Sequence, residues 1–487
     1  MNPLTYDQLK KYAPDYDRIP VCREILADIA TPIGLLRKIA TVSRRFYLLE
    51  SVEGGEKWGR YSFLGYDPLL RAVCDGGTVT VEEDGHRRTL TPDHPLDALR
   101  DILARFRAPR IDGLPPFAGG FVGYFAYAML GYAEPTLSIK RGAAHDFDLM
   151  LFDKVIAYDH LQQKIVLIVN AETRNFRASY SLALQEMDAM AAIIRANFVP
   201  DAPASGAVGD FTCNVSKATY CDTVERTKTY IREGDIFQAV ISRKFTAPIT
   251  GSLMNAYRVL RTSNPSPYMV YLNNEDAEII CSSPETLVRL EDGHLTTFPV
   301  AGSRPRGRDA AEDDALEADL LADEKELSEH NMLVDLGRND LGRISRFGSV
   351  AVTRYLMIHK YSKIMHLCSQ VESEIAPGKD GCSAIESVLP AGTLSGAPKI
   401  RAAQIIDELE PEPRDVYGGA LGYLDFTGNM DTCIAIRMAV RQKDRVTVQA
   451  GGGIVADSVP ENEYQESANK AAAVMAAIRQ AAVQEGL

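Results

Sequence analysis

Apolar residues recur three and four apart over residues 177–197, 323–336, 400–409 and 464–478, a spacing that predicts helices with one buried face. Between these stretches lie short apolar or alternating runs of strand length. Residues 287–290 and 295–300, separated by Glu291-Asp292-Gly293, predict a hairpin with an acidic-glycine turn. Residues 416–426, 433–441 and 446–449 predict a meander. The longest uncharged run, GGFVGYFAYAMLGYA (119–133), is too short and glycine-rich to span a bilayer, which takes about 20 apolar residues, and is expected as buried strand. Strands that follow one another directly, with helices set apart from them, predict an α+β protein with antiparallel sheet rather than a βαβ array. The stretch VPDAPASGAVGD (199–210) has linker composition and divides the chain into an N-terminal segment, 1–200, and a C-terminal segment, 211–487.

Composition narrows the chemistry. A net charge of −13 argues against a nucleic-acid partner, because phosphate recognition needs a basic footprint. Small anionic ligands stay open, since a local pocket decides their binding. The cysteines at 22, 74, 213, 221, 281, 368, 382 and 433 include no Cys-x-x-Cys pair, a pattern of reduced thiols rather than a disulfide or zinc framework. The first twenty residues, MNPLTYDQLKKYAPDYDRIP, mix acids and bases without an apolar core, so no signal peptide is expected and a cytoplasmic protein is.

No dinucleotide or zinc-protease signature occurs, and GTLSGAPK (392–399) has the wrong lysine spacing for a P-loop. Two predicted helices do carry paired carboxylates: Glu326 and Glu329 on one, Glu463 and Glu466 on the other, with Lys470 four beyond Glu466. Such pairs read either as solvated acidic faces or as a site for a hard cation, held by one carboxylate from each helix plus substrate oxygens and water. Arg437 falls inside the strand-like run 431–440, where it must reach solvent or an anion. Gly451-Gly452-Gly453, directly after a predicted strand, is either a turn or a place where backbone amides approach an anionic group.

Taken in order, the stretches FPVAGSRPRG (298–307), DEKELSEH (323–330), MLVDLGRND (332–340), PAGTLSGAPK (390–399) and QAGGGIVADS (449–458) resemble the chorismate-utilising enzymes, most closely their anthranilate synthase component I branch. The resemblance covers nearly the whole chain. It implies two packed antiparallel β-sheets surrounded by helices, and conversion of chorismate and ammonia to anthranilate and pyruvate. It implies Mg2+ held by Glu329 and Glu466, and substrate contacts from Gly302, Ser303, Tyr417, Arg437, Gly451, Gly452, Gly453 and Lys470. Glu285 matches a general acid for the departing ring hydroxyl, His366 the group that takes a ring proton before pyruvate leaves, and Thr393 the neighbour of His366 in the site. These residue types suit the chemistry: hydroxide leaves only when protonated, and histidine is a base near neutral pH.

Within that family two positions discriminate. Ala301 stands where aminodeoxychorismate synthases carry a lysine nucleophile, and Gln238 where isochorismate and salicylate synthases carry a lysine base, so direct amination is expected. A sister activity, or a non-catalytic binding protein, are the competing readings. LLES (48–51) and NPSPYM (264–269) resemble a tryptophan feedback site comprising Ser51, Pro267, Tyr268 and Met269, with Glu50 expected to help hold the ligand's ammonium. No glutaminase cysteine motif is present, so ammonia is expected from a glutamine amidotransferase partner, component II, or from solution.

Overall fold

The computed structural model describes residues 4–28, 30–51, 59–196, 206–360 and 364–483; most of the expected 199–210 linker lies outside them. Among the described residues the chain forms two sheets of twelve strands each, every pairing antiparallel, as expected. Three apolar clusters explain the layering. One lies between the sheets and joins Tyr47, Phe63 and Ile279 of the first to Val122, Phe152 and Leu421 of the second. The other two pack helices onto the sheets' opposite faces. Strands such as Gly120–Phe125 and Phe147–Phe152, buried on both faces, are therefore largely apolar instead of alternating, and the one charge among them, Asp148, is paired with Arg71 at 2.6 Å. The 119–133 run is only partly strand: after Phe125 it turns into a 3-10 turn, Tyr127–Met129, and a short helix, Leu130–Ala133.

Both segments flanking 199–210 contribute to both sheets. Phe46–Glu50 pairs with Tyr268–Asn273 in the first sheet, and Gly120–Phe125 with Ala420–Asp425 in the second. The predicted helices appear as Phe176–Arg195, Glu324–Gly342, Lys399–Leu409 and Pro460–Val483. The predicted hairpin appears as Thr286–Glu291 and His294–Thr297, with Asp292 and Gly293 at positive φ in the turn.

The predicted meander is not one unit. Ala420–Asp425 and Met430–Ile434 belong to the second sheet, whereas Met438–Gln442 and Arg445–Ile454 belong to the first. The chain steps between sheets at residues 435–437, and Arg437 takes φ +48 there. Its neighbour steps in parallel: Ala277–Ser283 lies in the first sheet, Thr286–Glu291 in the second, with Pro284 and Glu285 between them. No helix among the described residues is long and apolar enough to cross a membrane, and all eight cysteines are unpaired.

Candidate active site

The double step brings the acid and the arginine together. Ala277–Ser283 pairs with Met438–Gln442, and Thr286–Glu291 with Met430–Ile434, so Glu285 and Arg437 occupy the same break in one antiparallel pair. Two backbone bonds hold the break: Ile434 N–H donates to the Glu285 carbonyl at 3.0 Å, and Ser282 N–H to the Arg437 carbonyl at 3.1 Å. Arg437 is therefore not an in-strand residue, as its apolar surroundings in sequence suggested; a left-handed step frees it from the alternation of strand side chains.

Glu285 lines a narrow cleft together with Thr393, Phe298, Leu333 and Leu336. Burial pushes its carboxyl up to about 8, opposed by a hydrogen bond from Thr393 and the positive charges of Arg437 and Lys470. The Thr393 hydroxyl donates to Glu285 Oε1 at 3.1 Å. At neutral pH this carboxyl holds a proton beside two cations, the condition a general acid requires. On the neighbouring wall, Gly302 takes φ +68 at a register shift between Val300–Pro305 and Ile364–Glu374. Its carbonyl lies 3.2 Å from His366 Nδ1, so the Nδ1–H donates and the lone pair falls on Nε2. Burial lowers the His366 pKa, which keeps the ring neutral. Ser303 is exposed and sits opposite His366 in register.

The glycine run lies within Arg445–Ile454, not after a strand as expected, and pairs with Gln238–Pro248. Each glycine leaves room for a specific neighbour. A Cβ on Gly453 would strike the Gln238 amide, and one on Gly452 would lie 3.0 Å from Glu463 Oε2 and 3.7 Å from Glu466 Oε1. The Gly451 N–H donates to the buried Tyr417 hydroxyl, and the Gly451 carbonyl accepts from Lys470 Nζ at 3.2 Å. Lys470 also pairs with Glu466 at 2.7 Å.

Carboxylates of the two acidic helices come within electrostatic reach of one another near this run. Burial raises the Glu329 carboxyl, and the charges of Glu326 and Glu466 add to it; burial and Glu466 raise Glu463 in the same sense. Among the described residues no group of three or more His, Cys, Asp or Glu side chains is arranged as a complete metal site. Carboxylates from two helices, Glu329 and Glu466, coupled through their charges, nevertheless fit a hard cation that takes its remaining ligands from water and substrate. His330, adjacent to Glu329 in sequence, is not part of this group: it is buried, its Nε2 lies 2.7 Å from the Ser369 hydroxyl, and burial lowers it to about 4.

Residues 47–476 match the family of chorismate binding enzymes. The chain belongs to the chorismate-binding enzymes. It is 45% identical over 488 residues to anthranilate synthase component 1 of Acetivibrio thermocellus, covering 98% of both chains. It is 44% identical to the Pseudomonas aeruginosa protein of that name, covering 96% of this chain and 97% of the relative. The crystal structure of component I from Streptococcus pneumoniae superposes with a TM-score of 0.75 at 36% identity, over 87% of this chain and 94% of that one. The menaquinone-specific isochorismate synthase of Escherichia coli, 19% identical, shares the fold with a TM-score of 0.70 over 98% of this chain and 99% of that one. Within the chorismate-binding enzymes, then, the chain groups with the component 1 proteins, as the motifs implied.

A second cavity, of about 190 Å³, lies elsewhere and is lined by Ser51, Pro267, Tyr268 and Met269 together. It is larger than the cleft at Glu285, so chemistry rather than size marks that cleft as the candidate active site of this chorismate-binding enzyme. Sequence reasoning missed its other walls, among them Tyr61, Phe63, Arg289, Tyr423 and Asp431, because no local pattern links residues so far apart. Glu50 lines this cavity, but its carboxylate accepts hydrogen bonds from Tyr257 at 2.8 Å and from Arg261 at 2.9 and 3.1 Å, partners with which a ligand ammonium would have to share it.

Proposed function

We propose that this chorismate-binding enzyme aminates chorismate and eliminates pyruvate to give anthranilate for tryptophan biosynthesis. The observation that carries the reading is Glu285, protonated near neutral pH, bonded to Thr393 and facing Arg437 and Lys470. In the first step ammonia adds to the ring and Glu285 gives its proton to the departing hydroxyl, which leaves as water. Arg437 offers a planar fork to a substrate carboxylate, and Lys470 and the Gly451–453 backbone line the same region. In the second step His366 Nε2 takes the ring proton as the enolpyruvyl group departs as pyruvate. Glu329 and Glu466 would hold Mg2+, which when bound supplies positive charge for the ring carboxylate. Ala301, without a nucleophilic group, and Gln238, without a base, favour direct amination.

Incubation with chorismate, magnesium and ammonium, followed by fluorescence and mass analysis, tests the reading. Anthranilate and pyruvate are expected; isochorismate or a para-amino product as the main species refutes it. Glutamine should replace ammonium only when an amidotransferase chain, component II, is added.

The second cavity supports feedback inhibition by tryptophan. Ser51 comes from the 1–200 segment, and Pro267, Tyr268 and Met269 from 211–487. Tyr61, Phe63 and Met269 offer apolar faces for an indole. A hydrogen-bond link supplies a route to the acid: the Tyr268 hydroxyl lies 2.9 Å from the Thr286 hydroxyl and donates to Asp431 at 2.8 Å, and Thr286 follows Glu285 and lines its cleft.

A further inference from the structure

One buried ion pair ties the walls of the active site together. Arg414 and Glu410 follow the helix Lys399–Leu409, and each is 4% exposed. Arg414 donates to the Glu410 carboxylate at 2.9 and 2.7 Å, to the Leu394 carbonyl at 2.5 Å and to the Val240 carbonyl at 2.6 Å. Glu410 also accepts from the N–H and hydroxyl of Ser242, at 2.7 and 2.8 Å. The guanidinium lies 4.7 Å from the Tyr127 ring centre and 5.8 Å from that of Tyr417. Three parts of the site converge on it: the Gly392–Leu394 turn that carries Thr393, the strand whose Ser242 stands opposite Gly451, and Tyr417.

We propose that Arg414, oriented by Glu410, is a positioning residue for the acid: by holding the Leu394 carbonyl it aims the Thr393 hydroxyl at Glu285. This rests on the catalytic reading given above. The guanidinium fork reaches carbonyls on two different segments while keeping its bidentate grip on Glu410, which a lysine ammonium cannot reproduce. A buried ion pair is weak evidence for stability alone, since apolar packing of equal volume serves as well. Here the bonds run to the backbone beside the acid's own hydrogen-bond donor.

The test is steady-state turnover of chorismate with ammonium and magnesium across pH, on wild type, Arg414→Lys, Thr393→Val and the double variant. Glu285 is also faced by Arg437, Lys470 and the Cys368 thiol, with Asp340 on the same cleft, and none of these changes. Arg414→Lys is expected to lower kcat by about 10–100-fold with little change in KM. It should also move the alkaline limb upward, because the carboxylate loses a hydrogen bond that favours its charged form. Thr393→Val should do the same, and the double variant should lose no more than the larger single loss. A folded Arg414→Lys protein with a wild-type alkaline limb, or losses that simply add, overturns the proposal. If Arg414→Lys fails to fold, Glu410→Gln, which keeps an acceptor oxygen, is judged by the same two measures. Wild type that makes no anthranilate would instead refute the catalytic reading.

Discussion

Glu285 joins chemistry to measurement. Burial disfavours its charge and pushes its carboxyl up to about 8, and the proposed first step needs the protonated form. Turnover is therefore expected to hold through neutral pH and to fall as pH rises through about 8, in a pH–kcat profile of the wild type. Glu285→Gln should lower kcat by about 10²–10⁴-fold while chorismate still binds, because the amide cannot deliver a proton. In the proposed reaction His366 acts only in the second step. With Nδ1–H committed to the Gly302 carbonyl, the imidazole is set to accept a proton at Nε2. His366→Ala should let an aminated intermediate that still carries the enolpyruvyl group accumulate, seen by mass analysis of quenched reactions. Loss of chorismate consumption without that species would place His366 in the first step.

At the scale of elements, the two acidic helices and the glycine strand act as one cradle. Glu324–Gly342 brings Glu329, Pro460–Val483 brings Glu463, Glu466 and Lys470, and Gly452 leaves the space beside Glu463 and Glu466. Mutual repulsion in a buried setting is relieved by a cation, so magnesium should bind where these charges meet. Glu329→Ala and Glu466→Ala should abolish magnesium-dependent turnover while leaving the melting temperature within a few degrees. Titration calorimetry with magnesium in the presence of chorismate reads the binding directly. A Glu466→Ala enzyme at full rate under limiting magnesium would remove that helix from the site.

For the whole molecule, the interleaving of the two segments in both sheets makes regulation possible. The second cavity spans Phe46–Glu50 and Tyr268–Asn273, which pair directly across the segments, and Tyr268 reaches Thr286 beside the acid. A ligand there inhibits only if it binds the less active arrangement more tightly, with a coupling of about 1–3 kcal/mol typical of allostery. Ser51→Phe should fill the cavity and weaken tryptophan inhibition while turnover stays near normal. Tyr268→Phe should retain tryptophan binding but weaken its effect on kcat, because the hydroxyl link to Thr286 is gone. Tryptophan titrations of activity and of binding on the three proteins distinguish these outcomes; identical inhibition curves would remove both residues from the mechanism.

The chain's local patterns determined its helices, its hairpin at Asp292-Gly293 and the spacing that puts Glu326 with Glu329 and Glu463 with Glu466 on single helix faces. Its long motifs determined its family. These features are legible because helix and strand periods and turn residues act over a few positions. What only the tertiary structure decided is who meets whom. Glu285 faces Arg437 because two paired strands step between sheets at the same height, and nothing in the run 431–440 marks that step. The glycine run became strand, not turn, because Gln238–Pro248 pairs along it. Glu50 is hydrogen-bonded to Tyr257 and Arg261, some two hundred positions away. Long-range register, set by which apolar faces can be buried together, governs those contacts, and a reading of neighbouring residues does not contain it.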